Sequence, residues 1–203
     1  EMGIALLPGY GLTESANLVS GNPEALAKPE SVGLIYDGME YKLVNGELWL
    51  KGRNMLLGYI GEEEAEAYED GWFKTGDLGV LDKDGFLYIR GRSKSMILGP
   101  SGQNIYPEII EAKLSNLPFV AECLVIQQKN KLIALVYPDF AAMDEGHVGT
   151  NDLDAIMEEN RLQLNKLVAS YENISKIVIH PKEFEKTPKK SIKRFLYENI
   201  SNI

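Results

Sequence analysis

The sequence predicts an α+β fold: a first unit over residues 1–93 that includes a small antiparallel β subdomain at 32–92, followed by a small α/β unit over residues 94–203. Three observations carry this. First, Asp37-Gly38, Asn45-Gly46 and Asp84-Gly85 each separate short runs of apolar residues. Such dipeptides tolerate the positive φ that tight hairpins demand. Second, the period changes after Lys94. Ile110, Leu114 and Leu117 recur at helical spacing, as do Leu153, Ile156, Met157, Leu164, Leu167, Val168 and Tyr171 further on. Third, strand-like runs alternate with these helices, and no internal repeat or low-complexity segment interrupts them.

In order along the chain, Glu1 to Gly9 reads as a strand arriving at a loop. Residues 34–36, 39–44 and 47–50 read as hairpin strands. Residues 61–70, rich in Glu and Ala, read as a short acidic helix that leaves Trp72 in the core and Phe73 beside it, beneath a turn at 75–77. Residues 78–81 and 86–89 make a further hairpin. In the second unit Pro107 suits the first turn of a helix. Residues 119–126 and 132–137 form a hairpin across Lys129 and Asn130, a long amphipathic helix runs from about Asp152, and 177–179 is a short buried strand. A terminal helix then follows Ser191, which would cap it.

Composition excludes several function classes. A chain of 203 residues can bury a core. Its net charge of −9 opposes non-specific attraction to nucleic acid or anionic membrane, so no nucleic-acid partner is expected. No apolar run approaches the length of a transmembrane segment. The lone Cys123 cannot form an intrachain disulfide, which agrees with a cytoplasmic location. It lies in an apolar strand-like run, where packing explains it better than nucleophilic chemistry. His147 and His180 belong to no cluster with metal-ligand spacing.

The chemistry lies elsewhere. Gly71-Trp72-Phe73-Lys74-Thr75-Gly76-Asp77 is followed fifteen residues later by the arginine of Gly91-Arg92-Ser93-Lys94. A carboxylate at Asp77 can accept hydrogen bonds from ribose hydroxyls, and a guanidinium at Arg92 can reach the same sugar or a phosphate. Upstream stands Tyr10-Gly11-Leu12-Thr13-Glu14, and the run from Leu50 to Tyr59 lies between. Downstream come Gly99-Pro100-Ser101-Gly102-Gln103-Asn104-Ile105-Tyr106-Pro107 and Thr187-Pro188-Lys189-Lys190-Ser191-Ile192-Lys193-Arg194. Each piece alone has a bland reading: Tyr10 to Glu14 as a turn capped by Thr13, Lys94 as a solvated lysine, the basic run Lys182 to Arg194 as a solvated face.

In this order the series resembles the adenylate-forming superfamily of acyl-CoA synthetases, luciferases and peptide-synthetase adenylation domains, from Tyr10 to Arg194. Gly102, Asn104, Ile105 and Pro107 look most like its long-chain fatty acyl-CoA ligase branch. The resemblance implies that residues 1–93 are the end of a large N-terminal AMP-binding domain. Residues 94–203 would be a mobile C-terminal domain turning about Lys94. It implies a ligase that joins a carboxylic acid to AMP from Mg-ATP and then to CoA, so that ATP, Mg²⁺ and CoA are expected. Tyr10, Gly11, Thr13, Asp77 and Arg92 would bind nucleotide, with Thr13 on the phosphate and Glu14 as the Mg²⁺ ligand. Gly99, Gly102 and Asn104 would form a loop on the CoA side.

One departure matters. The family carries a lysine in a Thr-Pro-x-x-Lys-Ile-x-Arg pattern, where this chain has Ser191. Serine has no fixed positive charge to offset a developing anion. Lys190 is the replacement we expect, with Lys193 the more distant candidate; a non-catalytic nucleotide-binding module is the competing reading, and an aryl-CoA ligase or other adenylation domain another. No Gly-rich loop with lysine that would cradle the outer phosphates of ATP is present. The resemblance places it, and most of the acyl pocket, before Tyr10, so the chain is expected to be a piece of a longer enzyme and inactive alone.

Overall fold

The computed structural model describes residues 6–58, 68–149, 152–188 and 190–198. The chain divides into two compact units, Glu1–Lys94 and Ser95–Ile203.

The first unit is an eight-stranded antiparallel sheet. Its strands are β1 (Gly9–Gly11), β2 (Leu18–Gly21), β3 (Gly33–Ile35), β4 (Met39–Val44), β5 (Glu47–Gly52), β6 (Tyr68–Glu69), β7 (Trp72–Leu81) and β8 (Phe86–Arg92). They lie in the order β1-β2-β3-β8-β7-β5-β4, with β6 also on β7. Asn45 and Gly46 take positive φ and close the β4–β5 hairpin, as their residue types require. Asp82 and Gly85 shape the turn between β7 and β8: Asp82 Oδ1 accepts the amides of Asp84 and Phe86, each at 2.9 Å. Val19, Leu48, Leu50, Met55, Phe73 and Leu87 form the core on one face.

Four expectations for this unit are corrected. Asp37-Gly38 makes a turn, but not a hairpin: β3 pairs with β2 and β8, while β4 lies at the far edge beside β5. Residues 75–77 are no turn between strands; they are an irregularity inside the continuous β7. Gly76 has φ +72° there, and the pairing with β5 slips. Trp72 is half-buried on the face away from the core, with the Lys42 ammonium 4.5 Å from its ring, and Trp49 is the buried tryptophan. Of the expected acidic helix, Tyr68 and Glu69 are strand instead, paired with Phe73 and Trp72; residues 59–67 lie outside the described residues. So do residues 1–5 of the expected leading strand.

The second unit opens with a two-stranded ribbon, β9 (Ile97–Leu98) and β10 (Asn104–Ile105). Helix α1 (Pro107–Leu114) follows, with its proline in the first turn as expected. Strands β11 (Val120–Gln128) and β12 (Lys131–Pro138) form a hairpin, and Lys129 and Asn130 both take positive φ. After α2 (Phe140–Glu145), which the periodicity did not announce, comes α3 (Leu153–Leu167); β13 (Ile174–Ile179) then pairs parallel with β12. Asp139 starts α2 by accepting the Ala142 amide at 3.0 Å. One face of this sheet packs on the helices through Ile110, Leu114, Val125, Ala134, Val136, Met157 and Leu164.

The other face, Leu124, Ile126, Ile133 and Leu135, is covered by Phe184 and Tyr197. Burial of these two rings at either end holds the segment across the sheet, and among the described residues the expected terminal helix does not form. Among the described residues after Ser191 there is instead a single 3₁₀ turn, Arg194–Leu196. Ser191 is no helix cap: it lies in a small loop whose stem is the bridge between Lys186 and Ile192.

Candidate functional site

Three predicted residues of the first unit meet. Asp77 stands opposite Arg92 in the β7–β8 register. Arg92 Nε lies 2.8 Å from Asp77 Oδ1, and Tyr10 Oη, from β1, donates to Asp77 Oδ2 at 2.6 Å. Asp77 is 6% exposed, whereas the Arg92 side chain is 61% exposed. The carboxylate is therefore held at the bottom of the cluster while the guanidinium faces outward. Burial, and after it the Asp77 carboxylate, pushes the Tyr10 phenol far above its ordinary value, so it remains a protonated donor.

The Thr-Gly-Asp sequence explains how Asp77 is placed. Where the ladder slips, Thr75 Oγ1 donates to Leu48 O at 2.7 Å and accepts the Asp77 amide at 3.0 Å. Gly76 supplies the positive φ, and its amide reaches Glu47 Oε1 at 2.8 Å. The hydroxyl and carboxylate thus replace ladder bonds that the bulge removes.

The Tyr10 to Glu14 run continues into a 3₁₀ turn, Thr13–Ser15. Thr13 is exposed and does not cap the turn. The side-chain bonds there belong to buried Ser15, a residue that the sequence reading passed over: its Oγ donates toward Leu12 O and Asn17 O and accepts the Leu12 amide at 3.0 Å. Asn54, in the run between the outer motifs, ties this loop down by donating to Ser15 O at 2.9 Å. Gly11 is required by close approach, since a Cβ there would lie 2.7 Å from Asn17 O. Glu14 is half-buried. Burial, with the Glu14 charge second, pushes up the Tyr68 phenol.

Among the described residues no group of three or more His, Cys, Asp and Glu could hold a metal ion. A single half-buried carboxylate such as Glu14 suits a Mg²⁺ that arrives already ligated by phosphates, because that ion keeps most of its shell from substrate and water.

Lys94 sits exposed in a 3₁₀ turn, Ser93–Ser95, at the boundary of the two compact units. The remaining predicted residues belong to the second unit. Gly99 and Gly102 close the β9–β10 ribbon: the Gly102 amide reaches Gly99 O at 2.9 Å, and Gly102 takes φ +82°. Asn104 pairs with Leu98. Lys190 has φ +62° at the tip of the loop between Lys186 and Ile192, with its amide on Thr187 O at 2.8 Å. It is exposed, and among the described residues it has no ion-pair partner. Lys193 instead faces Glu185 at 3.4 Å, and Lys186 is paired with Glu122. Cys123 is buried, and burial pushes its thiol up to about 12, with Glu111 adding to the effect.

No protein-family model matches the chain. Long-chain-fatty-acid–CoA ligase FadD15 of Mycobacterium bovis is 34% identical over 215 aligned residues, covering 95% of this chain and 36% of FadD15. A long-chain-fatty-acid–CoA ligase of Salmonella typhimurium is 47% identical over 120 residues, 52% of this chain and 21% of that protein. Among solved structures, the anthranilate CoA ligase AuaEII in complex with anthranoyl-AMP has a TM-score of 0.79 at 25% identity, covering 96% of this chain and 38% of that one. The o-succinylbenzoate CoA synthetase MenE from Bacillus subtilis, in complex with ATP and magnesium, has a TM-score of 0.72 at 25% identity, covering 93% and 40%. The chain thus spans 36% of the length of FadD15.

A mixed α/β fold of mainly antiparallel sheets with few helices is therefore shared with adenylate-forming enzymes. Over nearly its whole length the chain is thus similar in sequence to long-chain-fatty-acid–CoA ligases and in fold to solved acid–CoA ligases. Among the described residues no helix is long and apolar enough to cross a membrane.

Proposed function

We propose that the full-length protein containing this chain is an ATP-dependent acid–CoA ligase, acting on a fatty acid. In the first step a carboxylate oxygen attacks the α-phosphorus of Mg-ATP and pyrophosphate leaves. In the second the CoA sulfur attacks the acyl carbon and AMP leaves. The observation that carries this reading is the meeting of Tyr10, Asp77 and Arg92, which offers a ribose one fixed carboxylate and one outward guanidinium. Tyr10 would also present its ring to adenine, Thr13 its exposed hydroxyl to the α-phosphate, and Glu14 its carboxylate to Mg²⁺. Lys94 would be the hinge, with Gly99, Gly102 and Asn104 beside the CoA path.

Lys190 is the cation we assign to the adenylation transition state. It is unpaired among the described residues and held in a tight loop, whereas Lys193 is engaged by Glu185. The fatty-acid assignment follows the names of the curated relatives; the solved relatives with aryl substrates make aromatic acids the alternative. A second reading, a nucleotide-binding module without adenylation, is favoured by Ser191 itself, whose position carries an exposed neutral hydroxyl.

Carboxylate-dependent ATP–pyrophosphate exchange in the full-length protein, across long-chain, short-chain and aromatic acids, decides between them. Exchange with long-chain acids supports the ligase, and exchange confined to aromatic acids moves the substrate class. Nucleotide binding with no exchange for any acid selects the second reading. The 203-residue chain alone is expected to show no exchange, since no lysine-bearing Gly-rich phosphate loop is among its residues.

A further inference from the structure

Arg194 lies on the falling side of the Lys190 loop, and its side chain is 19% exposed. Three neighbours take it. Its NH2 group is paired with Glu111 Oε2, NH1 donates to Val125 O at 3.3 Å, and Nε faces Glu108 Oε1 at 3.8 Å. Glu111 completes a closed triangle, because its Oε1 accepts the Val125 amide at 2.6 Å. Val125 is in β11, the edge strand of the second unit's sheet. Both of its outward backbone groups are thus satisfied by one carboxylate on α1 and one guanidinium on the terminal segment.

A mostly buried ion pair of this kind is a poor source of net stability, since desolvation offsets most of the attraction. What it supplies is direction. Phe184, Ile192 and Tyr197 hold the segment on the sheet by apolar burial, and such contacts by themselves tolerate sliding. The planar fork of Arg194 does not. On the rising side Glu122 performs the matching task, pairing with Lys186 and accepting the Phe184 amide at 3.1 Å. Lys190 lies between these two fixed points, four residues before Arg194.

We propose that Arg194 and Glu111 are positioning residues for adenylation: by locking the loop to the sheet edge they set where the Lys190 ammonium can reach, without touching the reactants. This rests on the reading of Lys190 given above. A cation displaced by about 1 Å from a developing charge can lose about a hundredfold in rate. The pair's contribution should therefore appear in turnover and not in nucleotide affinity.

The test uses the full-length protein with Glu111→Gln, which keeps an acceptor for the Val125 amide, Arg194→Met, which keeps the apolar stem, and the double variant. Each is made with and without Lys190→Ala. Backbone hydrogen exchange over residues 185–194 is expected to speed up by about tenfold, with β12 and α3 as protected as before. For pyrophosphate exchange, kcat is expected to fall about 10- to 100-fold at unchanged KM for ATP. Thioester formation from supplied acyl-adenylate should stay within about twofold, and the Arg194 effect should vanish in the Lys190→Ala background. Unchanged hydrogen exchange in the loop overturns the proposal, as does protection lost across the whole sheet, or an Arg194 effect that persists without Lys190. Should the parent protein show no pyrophosphate exchange, the ligase reading falls while hydrogen exchange still decides whether the clamp exists.

Discussion

Tyr10 Oη donates a 2.6 Å hydrogen bond to Asp77 Oδ2, joining residues 67 positions apart. The partner is charged and the site mostly buried, where such bonds contribute more than the neutral average. Tyr10→Phe keeps the ring and removes the phenolic donor to Asp77, whose ion pair with Arg92 remains. If Asp77 is the ribose ligand, AMP and ATP affinity should fall by roughly tenfold, read by calorimetric titration of the full-length protein. An affinity within twofold of wild type would show that the phenol does not orient the carboxylate for nucleotide.

Lys190 and Ser191 make a paired prediction. Removing one positioned donor from a developing oxyanion typically costs about 10²- to 10³-fold in turnover. Lys190→Ala should do this to pyrophosphate exchange while the loop's bonds, which are backbone and Thr187 bonds, persist. Ser191→Lys added to Lys190→Ala should restore much of the loss, because it returns an ammonium one residue away. If Lys190→Ala exchanges at the wild-type rate, the cation comes from elsewhere and Lys193 is the next candidate.

Gly33 is the least replaceable glycine of the first unit. A Cβ there would sit 1.9 Å from Gly21 C, backbone against backbone, and φ is +92°. Neither problem can be relieved by a side-chain rotation, so Gly33→Ala should destabilise the protein by about 2–5 kcal/mol. Gly38 also has positive φ, but nothing lies within 4 Å of its added Cβ. Gly38→Ala should therefore cost about 1 kcal/mol. Urea unfolding of the two variants side by side separates strain plus clash from strain alone, and equal midpoints would refute the distinction.

Where local chemistry decides structure, the sequence was legible. Asn45-Gly46 and Lys129-Asn130 turn where expected, Pro107 opens α1, and the 3.6-residue pattern marks α3. Asp37-Gly38 misled because a turn dipeptide states that the chain bends, not which strand it will pair with. That choice is made by β2 and β8, distant in sequence. The segment after Ser191 misled for a related reason: Phe184 and Tyr197 bury on the second face of the sheet, and that long-range burial overrides a local helix preference. The site was uneven in the same way. Tyr10, Asp77 and Arg92 were marked by motif, but the contacts of Ser15, Asn54, Glu111 and Arg194 carry no periodic or spacing signal; only packing shows them.

Lys28 provides a pH test of the first unit. Its ammonium lies 2.5 Å from Asp82 Oδ2 and 2.6 Å from Asp84 Oδ2, over the β7–β8 turn that Asp82 also caps. The Lys28 hydrogen bond is the main cause holding the Asp82 carboxyl below its ordinary value, helped by the Phe86 and Asp84 amides. In return, Asp82 and then Asp84 push Lys28 up to about 12. Folding lowers the acid's pKa, so its contribution is present above the unfolded carboxylate value and disappears as pH falls through the lower folded one. Folding raises the amine's pKa, so its contribution is complete below the unfolded lysine value and disappears as pH rises through about 12. Between these limits the gap in Tm between wild type and Asp82→Asn should be flat. It should narrow below about pH 4 and shrink in high salt, because the groups are solvent-facing. A gap that stays constant from pH 7 down to about pH 2 would show that the turn is held by the Asp82 side chain's shape and not by its charge.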